Sequence, residues 1–314
     1  MQHIRNTGRR AALALLGGGG LALATTRGSA QPVRDRVVVA SKIDTEGALL
    51  GNLILLVLER EGVPTEARLS LGPTRVVRDA LVAGEIDLYP EYTGNGAFFF
   101  RRESDPAWTN ADSAHALAKR LDAEANRLAW LDRAPANNTW AIALRGDLAR
   151  QERLATMEDF ASAVPRDVLR LAASAEFVES PAALPAFERT YGFRFPRERI
   201  VVLPGGDTAV TMRAAAQGVS GVNAAMVYGT DGAISALGLV VMRDTKGAQI
   251  VYEPAPVVRQ AVLEKFPAIG PALSRAFATL SLETLQGLNA QIAVEGQPAR
   301  EVARRHLVQA GLLR

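Results

Sequence analysis

The sequence predicts an α/β protein of two lobes, each a mainly parallel sheet flanked by helices. Three observations carry this. The chain has 314 residues, about twice the usual size of one domain. Short β-branched runs alternate with amphipathic helical stretches, the pattern of strand–helix–strand crossovers and parallel pairing. A similar order of segments then appears a second time, and from Pro256 onward the chain reads as helical.

Taken in order, VVVAS (37–41) reads as a first strand. Thr45 to Glu61 follows as a helix, with Leu49, Leu50, Leu53, Val57 and Leu58 on one face, Thr45 as candidate N-cap and Gly62 as stop. EARLSL (66–71) is a second strand, Thr74 to Ala83 a second helix ending at Gly84, and EIDLY (85–89) a third strand. The second unit runs VLRLAAS (168–174), a helix around Pro185 to Thr190, RIVVL (199–203), a helix from Thr208 to Gln217 behind Asp207, and VNAAMVY (222–228). The stretches from Thr74 and from Thr208 share a helix, a glycine stop, a strand and a tyrosine near a Thr and a Gly, a structural pseudo-repeat. Helices are expected at Val257–Phe266, Gly270–Leu280, Leu282–Val294 and Gln297–Ala310.

Residues 1–30 read as an export signal: a basic start ending in Arg9-Arg10, a weakly apolar run from Ala11 to Ala24 broken by four glycines, then small residues at Gly28 and Ala30. The arginine pair fits the twin-arginine route loosely. Four of the 36 basic residues and none of the 33 acidic ones fall in this segment, so the remainder is near neutral. That removes the electrostatic basis for nucleic-acid binding. No apolar run reaches the roughly 18 residues of a membrane-spanning helix. With no cysteine, disulfides, thiolate metal sites and a lipidated N-terminus are excluded, and a soluble, monomeric exported protein beginning near Gln31 is expected.

Two α/β lobes place a ligand in the cleft between them, at the carboxyl ends of the strands, where Tyr89, Tyr92 and Tyr228 lie. The segments ASKIDTEGALLGNL, LGPTRVVRDALVAGEIDLYPEYTGNG, APANNTWAIALR, VYGTDGAI and YEPAPVVR resemble, in this order, the signature segments of substrate-binding proteins of ABC importers for glycine betaine, choline and related osmoprotectants. The resemblance spans residues 36–313. It implies a periplasmic-binding-protein (Venus flytrap) fold with residues 36–144 plus 243–314 as a discontinuous first lobe and 145–242 as the second. It also implies an importer permease as partner. The family's four-aromatic cage falls on Tyr92, Trp140, Tyr228 and Tyr252, four of the eight Tyr and Trp residues in the chain. Ring faces attract a permanent cation while its methyl groups pack on carbon.

Around that cage, Thr93 and Asn95 are expected to supply a hydroxyl and an amide, with Gly94 and Gly96 permitting a tight turn. Lys42, Thr45 and Glu46 lie where the first strand meets its helix, a place that attracts a carboxylate; capping by Thr45 and solvated positions for Lys42 and Glu46 are the plain alternatives. Asn137 and Asn138 are read as shaping the loop that presents Trp140, and Asp231 as capping the helix after it. One departure stands out: where the family places an arginine that clamps a ligand carboxylate, this chain has Ser180, followed by Ala182-Ala183. Arg189 and Arg213 are the alternative clamps in the second lobe. Four cation–π contacts of about 1 kcal/mol each fall short of the roughly 8 kcal/mol of micromolar binding, so betaine is expected to bind weakly, or ligands without a carboxylate to be preferred.

No catalytic constellation emerges. His115 and His306 read as surface residues without a Ser or Asp partner, no HExxH, GxSxG or phosphate loop occurs, and Asp87 and Glu91 read as turn or hinge residues. A non-enzymatic, cofactor-free role follows. The competing reading is a ligand-sensing or adaptor module docking on a membrane receptor, or a binder of a different small cationic or amino-acid ligand.

Overall fold

The computed structural model describes residues 34–203 and 208–314. The expected export signal and Asp207 lie outside the described residues. Ten strands form two five-stranded sheets. They are β1 Val37–Lys42, β2 Thr65–Gly72, β3 Leu88–Tyr92, β4 Leu128–Trp130, β5 Trp140–Arg145, β6 Leu171–Ser174, β7 Ile200–Leu203, β8 Ala224–Tyr228, β9 Leu239–Val241 and β10 Pro254–Arg259. The first sheet is ordered β2-β1-β3-β10-β4 and the second β7-β6-β8-β5-β9. In each, three parallel strands are followed by one that runs against both its neighbours, β10 in the first sheet and β5 in the second. The sheets are therefore mixed, with a parallel half toward the N-terminal strands of each unit.

Both sheets are covered on both faces, which is why β1 and β10 are buried at every position. Val37 and Val39 face the helix Thr45–Arg60 and the C-terminal helices, while Val38 and Ala40 face the opposite core with Val77, Leu81, Trp108 and Trp130. This is the period-2 alternation of a strand applied to two cores at once. The helix Thr45–Arg60 is wrapped almost completely, by the helices Ile269–Phe277, Leu282–Ala293 and Ala299–Gln309.

The pseudo-repeat is visible in the backbone. The helices Thr74–Val82 and Thr208–Gln217 each run into a glycine held at positive φ, Gly84 at 72° and Gly218 at 67°, and each is followed by a central strand, β3 or β8. Left-handed backbone at a helix end is cheap only for glycine, so these two residues set the exit direction of both units.

Several sequence expectations need correction. Residues 257–266 do not form one helix: Pro254–Arg259 is strand β10, and only Gln260–Lys265 is helical. Burial between β3 and β4 on both edges decides the conformation of this β-branched pair, Val257-Val258. The third strand lies at 88–92 rather than 85–89, because Glu85 and Ile86 still donate their N–H groups back to Ala80 as the helix unwinds. Asp44, not Thr45, caps the first helix, its Oδ1 accepting the Gly47 N–H at 2.7 Å. The strand Trp140–Arg145, assigned to the first lobe up to Leu144, pairs with β8 and β9 in the second sheet. Neither His115 nor His306 lies open on the surface. His306 is buried and bonds Thr279 Oγ1, and half-buried His115 bonds the Leu131 carbonyl.

Candidate functional site

A cavity of about 640 Å³ is lined by residues of both sheets and their flanking helices. All four aromatic residues of the expected cage meet there. Trp140 opens β5 and Tyr228 closes β8; the two are directly opposite in register, and their rings stack at 6.5 Å between centroids and 20° between planes. Phe177 packs edge-on against Trp140 at 6.3 Å and fixes its plane from behind. Tyr92 closes β3 opposite Pro254, and Tyr252 stands two residues before that proline. The second sheet thus contributes two walls, and the first contributes Tyr92, with Tyr252 coming from the segment that leads into β10.

Tyr252 is held by the Asn-Asn pair. Its N–H donates to Asn137 Oδ1 and its carbonyl accepts the Asn138 N–H, so these asparagines position Tyr252 as well as the loop before Trp140. The Tyr252 ring packs against the turn at Gly94, where an added Cβ would stand 2.8 Å from the ring and 2.7 Å from Ile250. Only glycine leaves room for the wall. Burial raises the Tyr252 and Tyr228 phenols, so both hydroxyls stay protonated.

Behind the walls lies a buried polar hub. Glu91, fully buried, accepts from the Lys42 ammonium, the Tyr89 hydroxyl at 2.6 Å, the Tyr92 N–H at 2.7 Å and the Asn95 amide at 2.7 Å. Asp87, equally buried, accepts the Val38 N–H and pairs with Arg259. Both acids are structural anchors of the strand ends. The Lys42 ammonium also sits 4.5 Å from the Tyr92 ring centroid, a cation–π contact made by the protein itself. Lys42 lines the cavity, but its charge is committed to Glu91.

On the other side of Tyr92, its hydroxyl donates to Glu46 Oε1 at 2.7 Å, and Glu46 Oε2 accepts from Asn289 Nδ2 at 2.6 Å. Burial pushes the Glu46 carboxyl above its ordinary range, against the opposing pull of hydrogen bonds from Thr230, Tyr92 and Asn289. Asn289 Nδ2 also donates to the Thr230 carbonyl, so one amide links the first helix to the turn after β8.

Of the remaining expected residues, Thr45 and Asn95 line the cavity. Thr93 does not: its hydroxyl is fully buried, donating to the Val251 carbonyl at 2.9 Å and accepting the Glu253 N–H at 3.1 Å. It ties β3 to the segment before β10, and the side-chain alternation of a strand end turns it away from its neighbour Tyr92. Asp231 lines the cavity and accepts the Tyr228 N–H at 2.8 Å, fastening its own turn rather than the helix beyond. Ser180 ends the helix Ala175–Glu179 and is not part of the lining; neither are Arg189 and Arg213, both exposed. No arginine lines the cavity among the described residues.

The sequence reading missed Asn289 and Thr74. Asn289 interrupts an apolar stripe of Leu285, Leu288 and Ile292 on its helix, and a polar residue at such a position is the signal that would have found it.

A family model for the substrate-binding domain of ABC-type glycine betaine transport systems matches residues 35–309. The glycine betaine-binding protein YehZ of Escherichia coli K12 is 54% identical over 284 residues, covering 90% of this chain and 92% of that protein. A glycine-betaine-binding protein of Pseudomonas aeruginosa is 29% identical, covering 84% and 85%. The solved structure of apo YehZ from E. coli superposes with a TM-score of 0.85, covering 89% of this chain and all of that one.

Proposed function

This chain belongs to the family of substrate-binding domains of ABC-type glycine betaine transport systems, and from that membership we propose that its cleft captures a quaternary ammonium compound for delivery to an ABC importer. The observation that carries this is the convergence of Tyr92, Trp140, Tyr228 and Tyr252, three at strand ends and one just before β10, on one cavity. Rings brought from two lobes enclose a trimethylammonium head only when both are present, so closing the cleft and binding the cation are one event. The cavity is several times larger than such a head, which leaves room for that closure. Thr45, Asn95 and Lys42 stand at its edge in this reading, Lys42 as the holder of Tyr92 and Glu91.

The protein works in this reading as an exported, monomeric periplasmic carrier without catalytic chemistry, its chain crossing between lobes in 131–139 and returning in 242–253. Among the described residues no helix is long and apolar enough to cross a membrane. Calorimetry of the purified protein against choline, glycine betaine, proline betaine, carnitine and common amino acids tests the function. Saturable binding of at least one trimethylammonium compound is expected. Binding of an amino acid together with failure of every quaternary compound would overturn it.

Glu46 gives the binding a pH dependence. Its folded pKa lies above the ordinary value of 4.5, so ionising it costs stability, a cost absent below that value and growing as pH rises toward the raised pKa. A cation in the cage favours the ionised form, beside Asp44 and Asp231 and with Lys42 already paired. Affinity for a quaternary ammonium ligand is therefore expected to rise as pH rises through the raised pKa of Glu46 and to level off above it, with proton release on binding. Calorimetry in buffers of different ionisation enthalpy measures that release, and a pH-independent affinity would remove Glu46 from the ligand's electrostatics.

A further inference from the structure

The helix Leu282–Ala293 belongs to the first lobe and touches the second. Its Leu285 and Leu288 are buried in the core around Val37, Leu49 and Leu53. Gln286 and Asn289, three residues apart, share another face with Ala290 and Ala293, and that face meets the turn 229–232 that follows β8. Gln286 Nε2 donates to the Gly229 carbonyl at 2.7 Å and Asn289 Nδ2 to the Thr230 carbonyl at 2.9 Å. Beside these bonds the two backbones come into direct contact. A Cβ added at Gly232 would stand 2.2 Å from the Ala290 nitrogen and 2.5 Å from the Asn289 carbonyl carbon. Gly232 has right-handed φ and ψ of −63° and −28°, so glycine supplies close approach here rather than an unusual turn.

These bonds are made by neither of the segments, 131–139 and 242–253, in which the chain passes from one sheet to the other. They are also shielded: Glu46, Asn289 and Thr230 are 5%, 5% and 2% exposed, so water competes poorly for them. Together they run from wall to wall. The Tyr92 hydroxyl donates to Glu46, Glu46 accepts from Asn289, and Asn289 donates to Thr230, in the turn that Tyr228 and Asp231 close. Resting on the reading of the cleft as the binding site, we propose that the helix Leu282–Ala293 is a non-covalent clasp between the lobes. Gln286, Asn289 and Gly232 are its positioning residues, and they hold the Tyr92 and Tyr228 walls at binding distance. Without the clasp the lobes sample wider separations, and only the fraction of molecules at binding distance captures a ligand. Affinity for every ligand of the cleft then falls by one common factor.

The chain has no cysteine, so Lys119→Cys and Arg213→Cys, both exposed and one on each lobe, take spin labels at these two positions alone. Double electron–electron resonance on the purified protein without added ligand reads the distance between the lobes in this background, in Gln286→Ala and in Gly232→Ala. Gln286 is not part of the cavity lining, so its truncation removes no ligand contact. One narrow distance distribution is expected for the background, a wider one at longer distance for Gln286→Ala, and the widest for Gly232→Ala. Calorimetry with choline and with glycine betaine is expected to show both ligands weakened alike. The factor is about five in Gln286→Ala, that of one net hydrogen bond, and at least about ten in Gly232→Ala. Distributions unchanged in both variants overturn the clasp. Wider distributions with unchanged affinity, or with only one of the two ligands weakened, overturn the positioning role. The distances are read without ligand, so they decide the clasp even where the parent binds neither compound, a result that counts against the reading of the cleft alone. Gln286→Ala trims a half-buried side chain and carries the test should Gly232→Ala fail to fold.

Discussion

Glu91→Ala is expected to destabilise the protein by about 3–5 kcal/mol, the cost of stripping one partner from a buried ion pair. The side chains of Glu91 and Lys42 are 0% and 6% exposed, so water cannot replace the lost carboxylate. The substitution also leaves the Tyr89 hydroxyl and the Asn95 amide without their acceptor. Against a typical total stability of about 5–15 kcal/mol, this is enough to shift the urea midpoint by a large fraction of its value. The double variant Lys42→Met, Glu91→Leu removes both charges at once and is expected to recover most of the loss. Urea denaturation of the parent, Lys42→Met, Glu91→Leu and the double variant gives the cycle. A small, additive set of effects would show that the pair is not the anchor of the β3 end.

Trp140→Ala is expected to weaken a quaternary ammonium ligand by about 1–2 kcal/mol through the lost cation–π face. It also removes the stacking partner of Tyr228, worth about 0.5–1.5 kcal/mol, so the opposite wall loses its support. Trp140→Phe keeps a ring at the position and should lie between the two. Ligand titration followed by intrinsic fluorescence, read beside thermal melts, separates the site effect from the packing defect. Parental affinity in the alanine variant would remove Trp140 from the cage.

The legible part of this structure is the part with short-range rules. Helix Thr45–Arg60 shows its buried face in the spacing of Leu49, Leu50, Leu53, Val57 and Leu58, and Gly84 and Gly218 announce helix ends because only glycine turns left there at low cost. Strand β10 was hidden by its own composition. A buried run of prolines and valines leading into Gln260–Lys265 has no period that separates strand from helix, and only its neighbours β3 and β4 decide. The lobe change before Trp140 was illegible for the same reason: which sheet accepts β5 is settled by β8, far along the chain. In the site, aromatic residues at strand ends could be read from sequence. The fate of Thr93 could not, because it depends on the backbone of Val251 and Glu253. Asn289 reaches the cavity from a helix at the far end of the chain.

The reversed strand in each sheet has a consequence for how the molecule is assembled. Every strand of the second sheet lies between Trp140 and Val241, so that half can form from a continuous stretch of chain. The first sheet cannot. Its central position between β3 and β4 stays vacant until Pro254–Arg259 has been made, and the intervening loop closure is paid late. Refolding is therefore expected to be biphasic, with the middle of the chain protected from hydrogen exchange first and β1, β3 and β4 later. During synthesis β3 keeps one edge unpaired and β4 waits for its partner β10 until nearly the whole polypeptide is available.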